Sequence, residues 1–390
     1  MATGDVSTDD FLSGQGVSVD LNDVEGELTR LWGPAAEQVG GPELEHPNVT
    51  RIVLANLVVF TRHADAGRLQ GVLDTVAAQF PSRAIVLVRD AEPGRAIRAE
   101  ISALCHLPAP GLPQVCSERI VLRAGPEAVD LLPGAVRPLL EADLPFVLWW
   151  TADPREDEAL FHDLGDECSR LILDLPDPGA DLAALRLGLD PTISQFSRDS
   201  AWFGATRWRE LVAQFFDPPC GTDAIARIDS VKIDAVVPPG DNSPPRPAVW
   251  LASWLAGQLG WTLDEAPTRD PASGRFTVTF RGPTGPVAVE IRAESRPGVD
   301  TPGLRSVTLT TRKGDGPDAA EPEVFRLARV NEGSGEVRID VDSPSHCALP
   351  RTVFSPELDA ARRISAALES SRNDPPFQKA LPFALRLLEG

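Results

Sequence analysis

Side chains able to carry chemistry are few in this chain and widely spaced. The cysteines are Cys105, Cys116, Cys168, Cys220 and Cys347, and the five histidines include His46, His63, His106 and His346. A Ser, Cys or Thr nucleophile needs a base held beside it, and no Gly-x-Ser-x-Gly turn is present to present one. His346-Cys347 is the nearest approach to such a pair, but sequence neighbours direct their side chains apart. Cys105-His106 with Cys116 lacks the paired Cys-x-x-Cys or His-x-x-x-His spacing of a zinc site. Odd in number and dispersed, the cysteines suit a reducing compartment. Cys105 and Cys116 are the one possible redox pair, provided the strands around them pair; two buried reduced thiols are the plainer reading. The acidic groups Asp174, Asp177 and Asp181, and Asp340 with Asp342, have the chemistry to take Mg²⁺, but turn formation and helix capping account for them equally well. No catalytic, cofactor-binding or metal-ligating set is expected.

The elements that must position these groups alternate between strand and helix. Residues 1–20 read as a disordered polar tail, and 21–44 as a helix with Val24, Leu28 and Leu31 on one face, followed by a linker. Ile52–Phe60 is an apolar run of strand type. Leu69, Val72, Leu73, Val76 and Phe80 then form a helical stripe, and strand Ala84–Val88 completes a β-α-β unit over a parallel sheet. Ile97–Leu104 and Ser117–Arg123 are predicted to pair as a hairpin. Helix Glu127–Leu140 and strand Phe146–Trp150 follow, then a strand Leu171–Leu175 between helices near Glu156–Phe161 and Leu182–Leu187. Residues 45–195 are thus expected to form an α/β domain with a Rossmann-like layered sheet. It lacks the dinucleotide fingerprint: after the first strand the chain reads Thr61-Arg62-His63-Ala64-Asp65-Ala66-Gly67, with neither Gly-x-Gly-x-x-Gly nor a Walker loop.

Residues 196–390 are expected to form an α+β domain. A long helix Asp199–Phe216 opens it, followed by strand Ser230–Val236 and helix Ala248–Leu259. An antiparallel meander spans Phe276–Val341. Two terminal helices, Pro356–Ser371 and Pro376–Leu388, close the chain, the first backed onto the meander through Leu358, Ala361, Ile364 and Leu368.

A formal charge of −20 repels phosphate backbones, so nucleic acid is not an expected partner. No apolar run approaches the roughly 20 residues needed to cross a bilayer, and the first residues carry no basic n-region or apolar h-region. Cytoplasmic residence is expected. Eight tryptophans stand beside no tyrosine. Trp149 and Trp150, adjacent on a strand, point to opposite faces, so one must meet a different layer, a helix or a partner. Trp202 and Trp208 lie in the long-helix segment, and Arg207 and Arg209 flank Trp208 with the residue types favoured at interface hot spots.

Four segments resemble the OpcA family of glucose-6-phosphate dehydrogenase assembly proteins. They are Phe80-Pro81-Ser82-Arg83 with the strand after it, Cys116–Leu122, Leu139–Trp150 with its Leu-Pro-x-x-x-Trp-Trp ending, and Asp199-Ser200-Ala201-Trp202 followed by Arg207-Trp208-Arg209. Phe80 stands where the family's pattern has His, and the terminal helices carry no cysteine pair, so thiol control of the kind associated with photosynthetic members is not expected. The resemblance implies a protein without catalysis or cofactor of its own. It would bind glucose-6-phosphate dehydrogenase as an allosteric activator and promote its active oligomer, supporting the oxidative pentose phosphate pathway and its NADPH supply. Arg83, Trp149, Trp150, Asp199, Trp202, Arg207 and Arg209 are the residues expected to contact the partner or shape the site. The competing expectation is a phosphosugar-binding enzyme or sensor that holds phosphate through Arg83 and Arg207.

Overall fold

A computed structural model describes residues 15–37, 49–106, 114–175, 182–194, 196–217, 222–240, 244–270, 272–299, 301–314, 321–331, 333–343, 350–371 and 373–389. The sequence readings made at His46, Asp177, Asp181, Cys220 and His346-Cys347, and residues 1–14 of the N-terminal tail, lie outside the described residues; the end of that tail, expected to be disordered, is ordered, with Val17–Val19 pairing as a strand against Ala99–Ile101. The chain divides into two compact units. One comprises Met1–Leu175, Leu187–Asp199 and Ala360–Arg372; the other comprises Pro176–Arg186, Ser200–Asp359 and Asn373–Gly390.

The first unit is built on strands whose residues are apolar on both faces. In β3 (Asn56–Arg62) and β4 (Arg83–Arg89) every residue but the last is buried, as a parallel sheet covered on both sides requires. Among the described residues, β1 (Val17–Val19), β5 (Arg98–His106), β6 (Gln114–Ala124), β7 (Phe146–Trp150), β8 (Arg170–Leu173) and β9 (Ser197–Asp199) complete the order β1-β5-β6-β4-β3-β7-β8-β9, while β2 (Val49–Arg51) pairs with β6. Strands β6, β4, β3, β7, β8 and β9 run parallel, and β5 pairs antiparallel with β6 as the hairpin reading predicts. Of the longer helices, α1 spans Val24–Glu37, α2 (His63–Gln79) makes the β3-to-β4 crossover, and α3 (Glu158–Glu167) joins β7 to β8. The helix expected over Glu127–Leu140 breaks into a short α-helix, Leu132–Val136, between two 3-10 turns. Pro138, which has no N–H to donate, disfavours a continuous helix there.

In the second unit the long helix expected over Asp199–Phe216 does not form. Asp199 ends β9, a short helix covers Ser200–Gly204, and α4 runs Thr206–Ala213. Gly204, a poor helix former, sits at the break. The sheet has the order β11-β12-β13-β10-β14-β15-β16-β17. Its strands are β10 (Ile228–Val237), β11 (Thr262–Asp270), β12 (Arg275–Gly282), β13 (Gly285–Ser295), β14 (Gly303–Thr311), β15 (Val324–Arg329), β16 (Glu336–Asp342) and β17 (Arg351–Phe354). The meander is therefore interrupted: β10 inserts between β13, to which it is parallel, and β14, to which it is antiparallel. β11 escaped the sequence reading because, as an edge strand with no buried residue, it carries no apolar alternation.

Helices α5 (Arg246–Leu259) and α7 (Pro375–Leu387) pack closely on each other in the second unit. The helix between β17 and α7, α6 (Ala360–Glu369), belongs instead to the first unit, where it packs on α2. That corrects its expected seat on the meander. Arg170, at the start of β8, fixes it there by donating from Nη1 to the carbonyls of Ala367 and Leu368 and from Nη2 to that of Ser370, each at 2.6 Å. These carbonyls lie in the last turn of the helix and just beyond it, where a cation serves both hydrogen bonding and the helix dipole.

Gly257 sets how closely α5 and α7 approach, since a Cβ there would lie 2.5 Å from the Lys379 carbonyl oxygen. Gly257→Ala gains helix propensity but drives the two helices apart. A net loss of about 1–3 kcal/mol is expected for the second unit, read as a lower midpoint of its thermal transition.

Candidate functional site

At the N-terminal ends of the parallel strands, Arg83 is saturated by protein acceptors. Its Nε donates to Glu118 Oε2 at 2.7 Å, and its Nη1 donates to Glu25 Oε1 at 2.6 Å and to the Leu139 carbonyl at 2.9 Å. Its Nη2 lies 3.0 Å from Glu141 Oε1. Arg51 grips the same two acids, Nε to Glu118 at 2.6 Å and Nη2 to Glu141 at 3.0 Å. Asn56 ties in the Glu141 backbone, donating from Nδ2 to the Glu141 carbonyl and accepting the Glu141 N–H. Arg83 is thus committed to the architecture and is not presented to a phosphate. Glu118 was not singled out from sequence, where it lies between Ser117 and Arg119 and nothing in its neighbours marks it as buried.

Trp149 and Trp150 do point to opposite faces, and both are fully buried. Trp150 stacks on Phe60 at 4.0 Å and meets Phe161 edge-on at 4.9 Å. Neither indole N–H finds a hydrogen-bond acceptor among the described residues. The unit covers both faces of its own sheet here, so neither tryptophan is displayed to a partner.

The opposite edge of the sheet, outside the carboxyl ends of β3, β4 and β7, is where open α/β sheets take ligands. Here α2 begins at His63 immediately after β3, and its cap residue, Arg62, makes no side-chain capping bond. Gly67, the first glycine after β3, faces open space and serves no close backbone approach. The cations are already matched: Arg62 pairs with Asp65 at 3.2 Å and Glu156 at 3.5 Å, Arg89 with Asp157 at 3.2 Å and Glu156 at 3.7 Å. His63 Nδ1 lies 3.0 Å from Asp90, whose other oxygen accepts from Arg98 at 2.6 Å. Burial lifts the Asp157 carboxyl above its ordinary range, with Arg89 opposing. A pyrophosphate at the α2 terminus would meet Asp65 and Glu156 and no glycine cradle, so these residues do not fit a dinucleotide.

In the second unit, Trp202 and Arg209 form one node. The Arg209 guanidinium carbon sits 3.4 Å from the Trp202 ring centroid, and Arg209 Nη1 donates to the Trp202 carbonyl at 2.7 Å. Trp202 Nε1 donates to Asp374 Oδ2 at 2.9 Å, and Asp374 Oδ1 caps α7 by accepting the Phe377 N–H at 3.0 Å. Trp250 and Phe377 close the aromatic cluster. Burial pulls the Arg209 guanidinium down to about 9, while the Asp374 and Glu210 carboxylates oppose the fall. Asp199, at the end of β9, and Trp208 are buried. Arg207 alone of the seven expected site residues has an exposed side chain, paired with Glu210 at 2.8 Å within α4. Thus Trp202 and Arg209 come together, whereas Arg83, Trp149 and Trp150 serve separate parts of the first unit.

Cys105 and Cys116 stand directly opposite in the β5–β6 ladder and are joined by a disulfide, which corrects the reading of two reduced thiols. The remaining described cysteine, Cys168, is a free thiol that burial pushes up to about 11.

Glu118→Gln leaves Arg83 buried without its innermost counter-charge. A loss of about 3–5 kcal/mol from the first unit is expected in chemical denaturation. Asp374→Asn removes the carboxylate facing Arg209 and is expected to cost the second unit about 1–3 kcal/mol at neutral pH. The pH dependence has a definite sign. Because the folded value of Arg209 is depressed, its burial penalty is fully present below about pH 9 and is relieved as pH rises toward the ordinary arginine range. The Asp374 carboxylate opposes that fall, so Asp374→Asn is expected to be the less stable form wherever Arg209 is charged; equal stability of the two at neutral pH would contradict this.

Comparison with known proteins places these features in a family. The family model described as glucose-6-phosphate dehydrogenase subunit N-terminal domain matches residues 73–187, and the corresponding C-terminal domain model matches residues 196–381. An OxPP cycle protein OpcA of Synechococcus elongatus is 30% identical over 252 residues, 62% of this chain and 55% of that protein. Its counterpart from Synechocystis sp. is 31% identical over 196 residues, 49% of this chain and 40% of that protein. The chain spans about half the length of the curated relatives it matches. Among solved structures, an oxidoreductase from Sinorhizobium meliloti shares the fold, with a TM-score of 0.51 at 10% identity over 86% of this chain and 95% of that one. That likeness carries the fold and not the chemistry. With both domain models matched in order over most of its length, the chain belongs to the OpcA family.

Proposed function

We propose that this chain is a non-catalytic assembly factor and allosteric activator that binds glucose-6-phosphate dehydrogenase. It would promote the enzyme's active oligomer in the cytoplasm, supporting the oxidative pentose phosphate pathway and its NADPH supply. The observation that carries this reading is the match of both halves of the chain to the glucose-6-phosphate dehydrogenase subunit domain models. Two structural features support it. The crevice at the carboxyl ends of β3 and β4 is filled with mutually paired charges. Arg83, on which the phosphosugar reading depends, already holds three carboxylates.

An activator works by binding the active state of its target more tightly than the inactive one, about 1.4 kcal/mol for each tenfold shift of the equilibrium. In this reading Arg207 supplies a direct contact, since it is exposed. Trp202 and Arg209 hold the helices around it, while Arg83, Trp149, Trp150 and Asp199 shape the first unit.

The test is dehydrogenase activity across glucose-6-phosphate concentrations, with the enzyme of the same organism, in the presence and absence of this chain. The wild-type chain is expected to lower the substrate requirement or raise the maximal rate. Arg207→Ala, at a surface position, should weaken the effect while leaving the circular-dichroism spectrum unchanged. No kinetic change together with separate elution of the two proteins in size-exclusion chromatography would sink the proposal.

A further inference from the structure

Side chains of the second unit's sheet alternate between two environments. On one face Val289 and Ile291 of β13, Val231 and Ile233 of β10, and Val307 and Leu309 of β14 are buried. At alternate positions Ala288, Arg292, Lys232 and, on β15, Arg326 are exposed. Every residue of β13, β10, β14 and β15 is described, and these exposures leave the second face open over the middle of the sheet. A largely antiparallel sheet tolerates water on one face, so openness alone names no partner. The residues on the face do.

Much of this face is short and neutral. The pairing register puts Ala288, Ser230, Thr310 and Val324 in one row, and Ser306 beside Ala328 in another. Side chains of this size let a second sheet approach to the ~10 Å at which sheets stack. Between those rows runs a charged one: Glu290, Lys232, Thr308 and Arg326, each directly beside the next. Glu290 accepts from Arg292 Nε. Lys232 and Arg326 make no hydrogen bond or ion pair among the described residues. Lys232, Arg292 and Arg326 offset Asp234, Glu290 and Glu294 on this face, whereas the whole chain carries −20. Two copies of so acidic a chain repel each other, and a face of balanced charge is where that repulsion is least.

We propose that this face packs against the same face of a second copy of the chain in a two-fold dimer. A two-fold axis along the strands, between β10 and β14, lays β13 of one copy over β15 of the other and β10 over β14. In the charged row this exchange sets Glu290 against Arg326 of the partner subunit, twice in each dimer, and gives Arg326 a counter-charge that its own chain does not supply. Lys232 comes over Thr308 of the partner subunit. In the next row Arg292 comes over Ala328 of the partner subunit and Asp234 over Ser306 of the partner subunit, so like charges do not meet across these strands. The area suffices: eight strands about 4.8 Å apart, paired over roughly 17 Å, give about 650 Å² per copy, near the ~800 Å² per partner of a stable interface. The interface concerns the chain's own oligomer and stands independently of the dehydrogenase reading.

The test is sedimentation equilibrium of the full chain over a range of concentrations. The wild-type chain is expected at twice the 41.9 kDa of one copy. Arg326→Glu sets carboxylates against each other at two places in the dimer, and Thr308→Arg sets a guanidinium against Lys232 of the partner subunit. Each should raise the dimer dissociation constant roughly tenfold or more. The circular-dichroism spectrum should not change, because both positions lie on the open face. The double reversal Glu290→Arg with Arg326→Glu restores opposite charges across the two-fold and should regain the association that Arg326→Glu alone loses. A wild-type chain that stays monomeric up to about 100 μM, a dimer indifferent to both single substitutions, or a double variant no tighter than Arg326→Glu overturns the proposal.

Discussion

A carboxylate with no exposure to water, Glu118, has to be met by cations, and much of the first unit is arranged around that requirement. Arg83 reaches it from the first residue of β4 and Arg51 from the last residue of β2. Glu25 of α1 and Glu141 before β7 then answer the positive charge that Glu118 leaves over. One buried charge thereby ties α1, β2, β4 and β6 to the segment ahead of β7. Because removing one partner strands the others, such a network specifies the register of its strands more than it adds to stability.

The same commitment of charge recurs through the molecule. Arg62 and Arg89 are held by carboxylates at the opposite ends of the strands, Arg170 by helix carbonyls, and Arg209 by an indole ring and the Trp202 carbonyl. A fold shared with one oxidoreductase structure thus carries mutually paired charges at its strand ends. Its ligand crevice contains acids where a pyrophosphate would need amides, and its helix starts without a glycine turn. Fold supplies the frame, while the residues at the strand ends decide what the frame accepts.

The departure from a doubly wound pattern falls at one place, between β4 and β6. A strand stands there in place of a crossover helix, which widens the sheet. Val121 stands between Arg119 and Arg123 on β6 because successive residues on one face of a strand are two apart in sequence.

The sequence by itself determined the elements that are apolar over short distances. Strand residues covered on both sides follow at 56–60 and 84–88, with the stripe between them as their crossover helix, whereas 52–55 of the same apolar run lie outside any strand and leave Leu54 exposed; the hairpin reading allowed Cys105 to lie opposite Cys116 without requiring it. The missing glycines after the first strand were equally legible, and so was the resemblance of four separated segments to OpcA. Tertiary structure alone decided the rest. The helix at 360–369 carries an amphipathic stripe that suits any apolar surface, and only the fold assigns it to α2. β10 enters the meander out of order because strand pairing is non-local and alternation does not encode a neighbour. Arg83, Trp149, Trp150, Trp202 and Arg209 stood out by residue type, but type does not reveal whether a side chain faces solvent or a buried partner. That is settled by which distant carboxylate, ring or carbonyl the chain brings within about 3 Å, the distance over which a hydrogen bond acts.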